Sequence, residues 1–257
     1  MQEIIAFANS LADKSGEIIQ KYFRTPFDVE SKADHSPVTI ADREVEKTLR
    51  EMILAKYPHD GILGEEYGIV QGDSGRVWVI DPIDGTKSFM IGRPTFGTLI
   101  ALWEDNKPVL GIIDQPILKE RWVGDGAQTT MNGNIVKTRP CKDIHEARIG
   151  ATTPMMFDKS EDYGRAYHLF ETPPRMVWGG DCYMYGLIAC GFMDVAFEQN
   201  LSPYDFAALV PIIKGAGGHI SDWRGDELTL NSAGKVIAVG DPDLWPEIER
   251  MLRKSPF

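Results

Sequence analysis

A pair of aspartates beside a glycine and a threonine is the feature of this sequence best suited to chemistry. Residues 81–86 are Asp-Pro-Ile-Asp-Gly-Thr, and they follow Val77–Ile80, a β-branched and aromatic run typical of a buried strand. Carboxylate oxygens bind hard divalent cations, and backbone N–H groups at a glycine turn bind phosphate. The same residues also fit an ordinary Asp-rich turn with a left-handed glycine.

Two further carboxylates could complete a metal site with Asp81 and Asp84. Glu65 lies in a loop-like stretch, and Asp205 lies in the first turn of a helix that Ser202 begins. A two-metal phosphoryl site requires several carboxylates, a phosphate cradle and a group that activates water. Taken singly, Glu65 also fits a solvated surface charge, and Asp205 also fits an acid that favours the helix dipole.

The elements that must position these residues alternate in type along the first half of the chain. Apolar residues repeat at helical spacing in two segments, which are separated by a predicted loop at residues 25–37. The two predicted helices cover residues 4–22 and 37–56. Strands are predicted at residues 77–80, 95–103, 108–115 and 119–123, and Asn132-Gly133 is typical of a hairpin turn.

The second half of the chain continues this mixture. Strands are predicted at residues 148–152 and 193–197, with a short helix at residues 183–190 between them. A helix over residues 206–214 ends at the glycine-rich segment 215–218, and Asp241-Pro242 begins the last helix. Strands and helices mixed in this way predict a layered α/β (α+β) sandwich.

The composition limits the possible partners and the cell compartment. With 257 residues, of which 43% are hydrophobic, the chain can form one compact domain of two interlocked lobes, approximately residues 1–140 and 141–257. A formal net charge of −11 argues against non-specific binding to nucleic acid. Three scattered cysteines suggest reduced thiols, and neither a signal-peptide pattern nor a membrane-spanning run is recognisable. We therefore expect a soluble cytoplasmic protein whose partner is a small molecule, not a membrane.

Three signatures together resemble the inositol monophosphatase superfamily. They are Gly-Glu-Glu at residues 64–66, the segment 78–86, and Tyr204-Asp205 ahead of the glycines at residues 215–218. They occur in the order typical of that family, and the resemblance extends over nearly the whole chain. It implies the layered αβαβα architecture of the sugar phosphatases. It also implies an enzyme that hydrolyses a phosphate monoester on a small metabolite with two to three Mg²⁺ ions.

The resemblance assigns the metal ligands residue by residue. Glu65, Asp81 and the backbone carbonyl of Ile83 would hold a first Mg²⁺, and a weaker third ion would lie near Glu65. Asp81, Asp84 and Asp205 would hold a second ion. A carboxylate shared between two ions suits the roughly 3.5–4 Å separation that two-metal hydrolysis requires.

The remaining catalytic groups are also implied by the resemblance. The backbone N–H groups of Gly85 and Thr86 would bind phosphate oxygens. Asp42 would accept a proton from the attacking water through the Thr86 hydroxyl, and Lys32 matches a loop lysine of the family. Asp42 also fits an ordinary helix-surface acid, and Lys32 a solvated loop charge. With Glu65, these residues form the implied catalytic set.

The segment that indicates the substrate lies about a hundred residues downstream. Residues 178–186, Trp-Gly-Gly-Asp-Cys-Tyr-Met-Tyr-Gly, resemble histidinol-phosphate phosphatases more than inositol-specific members, and so does Tyr204 where those members have tryptophan. The implied substrate contacts are Gly180, Asp181 and Glu198. An acidic pocket suits the ammonium and imidazole groups of L-histidinol phosphate, although Asp181 also fits a helix N-cap and Glu198 could accept the hydroxyls of a polyol.

We therefore predict a histidinol-phosphatase of histidine biosynthesis. The alternatives are a phosphatase for inositol 1-phosphate or for a broad set of small esters, and an inactive metal- and phosphate-binding regulatory protein. Members of the family are commonly dimers, so we also expect a homodimer.

Overall fold

The computed structural model of the chain describes residues 1–26, 29–31, 37–157, 161–171 and 176–253. Lys32, which was predicted to be catalytic, lies outside the described residues. The helices are α1 Gln2–Tyr22, α2 Ile40–Lys56, α3 Thr86–Met90, α4 Glu161–Glu171, α5 Tyr183–Ala189, α6 Pro203–Phe206, α7 Leu209–Gly215 and α8 Trp245–Leu252.

The strands form a hairpin and two larger sheets. Strands β1 and β2 pair with each other, the second sheet has the order β10-β9-β8-β7-β6-β5-β3-β4, and the third has the order β12-β11-β13-β15-β14. The strands are β1 Val29–Ser31, β2 Pro37–Thr39, β3 Gly61–Gly64, β4 Gly68–Val70, β5 Arg76–Asp84, β6 Gly97–Glu104, β7 Lys107–Gln115, β8 Glu120–Gly124, β9 Thr129–Met131, β10 Asn134–Val136, β11 Ile149–Ala151, β12 Met176–Trp178, β13 Val195–Glu198, β14 His219–Ser221 and β15 Val236–Val239.

Three apolar clusters hold these elements in five layers. The first joins α1 and α2 to one face of the eight-stranded sheet and includes Leu11, Leu49 and Trp78. The second packs α5 and α7 between the two sheets, and the third packs α4 and α8 on the outer face of the five-stranded sheet. Burying each apolar face against its neighbour produces the αβαβα sandwich, so the predicted fold class is confirmed.

Two predicted boundaries around α2 were wrong. The predicted loop at residues 25–37 contains β1, which pairs antiparallel with β2. The helix predicted from residue 37 begins at Ile40, because Thr39 is its N-cap and forms a reciprocal capping box with Asp42. This box fixes Asp42 in the first turn of α2.

Two other elements differ from the prediction in ways that shape the site. The strand predicted at residues 77–80 extends through Asp84, and its register against β6 shifts between Asp81 and Asp84. An irregularity of this kind re-aims side chains at a strand end. The single helix predicted over residues 206–214 is two short helices, α6 and α7, on either side of Ala207-Ala208.

Candidate active site

Three aspartates converge where β5 ends and α6 begins. One carboxylate oxygen from each of Asp81, Asp84 and Asp205 lies within 4.8 Å of the others. Asp81 is buried, and the other two are partly exposed to an adjoining cavity. The Ser202 N–H donates to Asp205 Oδ2 at 2.6 Å as part of a capping box. Asp205 therefore stabilises its helix start and reaches the cluster as well.

The charges of this cluster are unfavourable without a cation. Burial, followed by repulsion from Glu65 and neighbouring aspartates, raises the pKa of Asp81 well above its usual range. Burial and the charge of Asp205 do the same to the pKa of Asp84. The pKa of Asp205 rises to about 7, chiefly through burial. Oxygen ligands held in this state fit a hard divalent ion, which would replace their protons.

Glu65 and Ile83 border the aspartate cluster. Glu65 directly follows β3, and its N–H donates to the Ile80 carbonyl at 3.3 Å. Its side chain lies close enough to Asp81 for its charge to raise the pKa of that carboxyl. The Ile83 N–H donates to Asp81 Oδ1 at 3.0 Å, while the Ile83 carbonyl accepts from Thr86 Oγ1 at 3.1 Å. Glu65 is thus a half-buried member of an acidic group and not a solvated surface charge.

Asp42 faces Thr86 from the start of α2. Thr86 Oγ1 lies 3.4 Å from Asp42 Oδ1, and the Thr39 N–H donates to Asp42 Oδ2 at 2.8 Å. Asp42 is fully buried, so the alternative of a helix-surface acid is wrong. Burial raises its pKa to about 6, while hydrogen bonds from Thr39 lower it. A carboxyl group with this pKa is suited to accept a proton near neutral pH.

Gly85 connects β5 to α3 with a left-handed backbone. Its φ is 81°, and a Cβ at this position would lie 2.8 Å from Cγ of Asp181. Both the conformation and the close approach favour glycine. Gly85 and Thr86 border the cavity at the start of α3, directly beside the aspartate cluster.

The Asp181 carboxylate is held by two hydroxyl groups. Oδ2 accepts from Ser88 Oγ at 2.6 Å and from the hydroxyl of Thr95. Asp181 has a φ of 44°, and the N-cap of α5 is Cys182. The alternative of Asp181 as a helix N-cap is therefore wrong, because its side chain points to α3 and the loop after it.

Glu198 is a further acid of the cavity lining, and Asp181 and Glu198 together are called the opposite wall of the cavity. It is 3% exposed, accepts from the Tyr185 hydroxyl at 2.8 Å, and accepts from the Thr152 N–H at 3.1 Å. Burial raises its pKa to about 7. Both hydrogen bonds fix the carboxylate at the edge of the cavity.

These residues line one cavity of about 510 Å³. Its walls bring together Glu65, Asp84, Thr86, Asp181, Glu198 and Asp205, which come from both halves of the chain. Gly179 also lines it, whereas a Cβ on the neighbouring Gly180 would meet Met184. The cavity is large enough for a small phosphorylated metabolite beside the aspartates.

Several residues at this cavity were not anticipated from the sequence. Ser88 and Thr95 hold Asp181, Arg93 lines the cavity, and the Cys182 N–H donates to Asp84 Oδ2 at 2.6 Å. Cys182 and Asp84 are 98 residues apart in sequence. No local pattern indicates such contacts, since they arise only when α5 packs beside β5.

The sequence matches one known family over nearly its whole length. The model of the "Inositol monophosphatase family" matches residues 1–255. A chloroplastic bifunctional phosphatase of Arabidopsis thaliana is 46% identical over 255 residues, covering 95% of this chain and 73% of the plant protein. A histidinol-phosphatase of Chlorobaculum parvum is 36% identical over 237 residues, covering 91% of each protein.

A solved structure agrees with these sequence matches. An inositol monophosphatase from Zymomonas mobilis superposes with a TM-score of 0.89 at 45% identity, covering 98% of each chain. The shared fold extends over both sheets and therefore over both walls of the cavity.

Proposed function

Since this chain belongs to the inositol monophosphatase family, it is a phosphatase, and we propose that it hydrolyses L-histidinol phosphate to L-histidinol and phosphate with Mg²⁺. The observation that carries the proposal is the cavity in which the aspartate cluster faces two more acids, Asp181 and Glu198. A substrate that carries a phosphate and positive groups complements both walls. The named histidinol-phosphatase from Chlorobaculum parvum supports this choice.

The proposed metal ligands are those assigned from the family resemblance. Asp81, Asp84 and Asp205 would hold one ion, and Glu65, Asp81 and the Ile83 carbonyl another. When bound, Mg²⁺ supplies charge neutralisation and lowers the pKa of water. The raised pKa values of the aspartates support this assignment, because a divalent ion relieves their mutual repulsion.

The protein's own groups would orient the substrate and move one proton. Backbone N–H groups of Gly85 and Thr86 would bind phosphate oxygens at the start of α3. Thr86 Oγ1 would accept a proton from the attacking water while it donates its own to Asp42, along the 3.4 Å contact between them. Lys32, which precedes α2 in the sequence, remains a proposed contributor. This order makes Asp42 the general base.

The ammonium and imidazole groups of the substrate would face the opposite wall. Asp181 is held rigid by Ser88 and Thr95, so its negative charge has a fixed direction. Glu198 is similarly fixed by Tyr185. Rigid carboxylates lose little conformational entropy when they bind a cation, which supports a role in recognition. Gly180 lies between Gly179 and Asp181, which both line the cavity, and would contribute backbone groups.

A second candidate substrate is inositol 1-phosphate. The Zymomonas mobilis structure is named an inositol monophosphatase, and Glu198 could accept polyol hydroxyls as well as a cation. The inactive-protein alternative is less well supported, because the carboxylates implied as metal ligands, Glu65, Asp81, Asp84 and Asp205, lie in the cavity lining or directly beside it. As the family resemblance implies, we propose a homodimer. Among the described residues β12 is an edge strand of its sheet, and Val177 on it is 52% exposed, so a second copy could pack there.

Release of inorganic phosphate tests the proposal. The purified chain should release phosphate from L-histidinol phosphate when Mg²⁺ is present. Phosphate release should stop when a chelator is added and recover when excess Mg²⁺ is restored. Absence of release from any phosphate monoester at saturating Mg²⁺ would exclude the proposed activity.

A further inference from the structure

The turn that carries Glu65 is held by a buried carboxylate from another element. Glu46 lies on α2, and its side chain is fully buried. Its Oε2 accepts the Glu66 N–H at 2.6 Å, and its Oε1 accepts the Tyr67 N–H at 3.1 Å. These two N–H groups immediately follow Glu65 in the chain. The backbone after Glu65 is thus fixed by a side chain that takes no part in the proposed chemistry.

The residues on either side of this turn are fitted to the same carboxylate. A Cβ on Gly64 would lie 2.1 Å from Glu46 Oε1, so glycine allows the close approach of β3 and α2. Arg50 Nε donates to Glu46 Oε1 at 2.7 Å, and Arg50 Nη2 donates to the Gly68 carbonyl at the start of β4. Glu46 therefore holds the residues directly after Glu65, whereas Arg50 holds the far end of the turn at Gly68.

This contact links the turn to the rest of the site. Glu46 lies one helical turn after Asp42 on α2, and Asp42 contacts Thr86. Glu65, the first residue of the turn after β3, lies close enough to Asp81 for its charge to raise the pKa of that carboxyl. The helix α2 thus sets the distance between the proposed general base and one proposed metal ligand.

We propose that Glu46 is a positioning residue for Glu65, and that it raises the affinity of the site for divalent ions without contacting them. The inference rests on the proposed function, because it requires Glu65 to bind the ion. Side chains that orient metal ligands typically change metal affinity 10- to 100-fold when they are replaced. Glu46 acts on its ligand through the backbone of residues 64–67.

A glutamine cannot replace this carboxylate. Both oxygens of Glu46 accept N–H groups, whereas a glutamine amide has one acceptor oxygen and would place an NH₂ group against a donor. In either orientation of the amide, at least one of the two backbone N–H groups of the turn would lose its acceptor. The turn would then shift and carry Glu65 away from Asp81.

Calorimetric titration of the full chain with Mg²⁺, without substrate, tests the proposal. We expect Glu46→Gln to weaken Mg²⁺ binding by about 10- to 100-fold relative to the unaltered protein. Arg50→Met is the matched control, since it breaks the same buried ion pair but leaves the carboxylate on the turn. Glu51→Gln is an exposed control on the same helix. Both controls should bind Mg²⁺ with unchanged affinity.

The outcomes separate positioning from simple stabilisation. If Glu46→Gln and Arg50→Met lower the melting temperature equally and neither changes Mg²⁺ affinity, Glu46 is only structural and the proposal is wrong. If Glu46→Gln does not fold, Glu46→Asp replaces it, because the shorter side chain keeps the charge but retracts from the turn. Wild-type affinity in Glu46→Asp would then overturn the proposal.

Failure of the proposed function has a different signature. An unaltered protein that binds Mg²⁺ but releases no phosphate would contradict the phosphatase activity and leave the positioning role standing if Glu46→Gln still binds more weakly. An unaltered protein that binds no divalent ion would overturn both.

Discussion

At the scale of single residues, Asp84 joins the two walls of the cavity. It belongs to the aspartate cluster, and its Oδ2 accepts the Cys182 N–H at 2.6 Å from the opposite wall. Asp84→Asn should lower turnover at least about 100-fold for each phosphate ester, because a metal ligand loses its charge. Phosphate release at saturating Mg²⁺ measures this effect. Asp105→Asn, an exposed position, is the control, and full activity in Asp84→Asn would contradict the two-metal assignment.

Replacing Asp181 should lower kcat/KM for a cationic substrate much more than for a neutral ester. Asp181→Asn keeps the size of the side chain and tolerates the φ of 44°, but it removes the negative charge. We expect kcat/KM for L-histidinol phosphate to fall about tenfold or more, which corresponds to roughly 1.4 kcal/mol. The value for glycerol phosphate, which has no positive group, should change little. Equal losses on both esters would remove Asp181 from substrate recognition.

The thiol of Cys182, beside the aspartate cluster, is not a candidate for covalent catalysis. Cys182 is 2% exposed, and burial together with the charge of Asp84 raises the pKa of its thiol well above the usual range. The thiolate is the nucleophilic form, so a raised pKa makes Cys182 inert. This agrees with hydrolysis by water.

At the scale of elements, hydrogen bonds from Thr39 at the start of α2 lower the pKa of Asp42. The Thr39 N–H and hydroxyl both donate to Asp42 Oδ2, and these bonds lower a pKa that burial raises to about 6. In Thr39→Val the hydroxyl is lost, so the pKa of Asp42 should rise further. Asp42 would then be protonated at a higher pH, and the acidic limb of the pH–activity profile should move upward.

The same substitution should also weaken the helix. Loss of an N-cap hydroxyl typically costs about 1 kcal/mol. The pH dependence of kcat/KM and the free energy of unfolding are the two measurements. Thr48→Val, which removes a hydroxyl bonded to the Glu44 carbonyl within α2, is the control and should leave the pH profile unchanged. An unchanged profile in Thr39→Val would contradict Asp42 as the base.

Features of the elements that depend on neighbouring residues could be predicted from the sequence. The strand β5 with its aspartates, the capped helix start at Ser202 and the Asn132-Gly133 turn are encoded within a few neighbouring residues. Asn132 and Gly133 indeed have φ values of 49° and 80° between paired strands β9 and β10. Strands such as β3 and β4 have only three or four residues and contain glycine, so their local signal is weak.

Contacts that complete the site could not be predicted in this way. Ser88 meets Asp181 across 93 residues of sequence, and Glu46 meets the turn after Glu65 across 20. Such pairs depend on how α2, α3 and α5 pack against the eight-stranded sheet. The metal ligands were accessible through a family resemblance, whereas the residues that orient them required the structure.

At the scale of the whole molecule, the acidic cluster ties stability to pH and to metal. Burial raises the pKa of Asp205 to about 7, against an ordinary value of 3.8. The folded metal-free protein therefore binds protons that the unfolded chain releases, and the stability that Asp205 contributes is lost as the pH rises through about 7. Without metal, the melting temperature should fall between about pH 5 and pH 8.

Mg²⁺ should reverse this trend, because it replaces the protons on the carboxylates. The difference in melting temperature between samples with Mg²⁺ and samples with chelator should widen as the pH rises. Thermal unfolding with and without chelator across this range tests both statements. A difference that is independent of pH would contradict the placement of the ion among these aspartates.

Within the part of the chain that the structure describes, no helix is long and apolar enough to cross a membrane.

The size of the assembly is a separate property of the protein. Val177 and Trp178 are 52% and 38% exposed on β12, an edge strand of the five-stranded sheet as described. Light scattering should give twice the mass of one chain, whereas the mass of a single chain would contradict the proposed homodimer.

We propose that a metal-bound phosphate site faces an acidic wall that selects a cationic substrate. This selectivity is tested most directly by kcat/KM for L-histidinol phosphate and for inositol 1-phosphate, measured side by side at saturating Mg²⁺. We predict a preference of at least about tenfold for L-histidinol phosphate, since one charged contact is worth about 1.4 kcal/mol or more. Equal values, or a preference for inositol 1-phosphate, would contradict the claim.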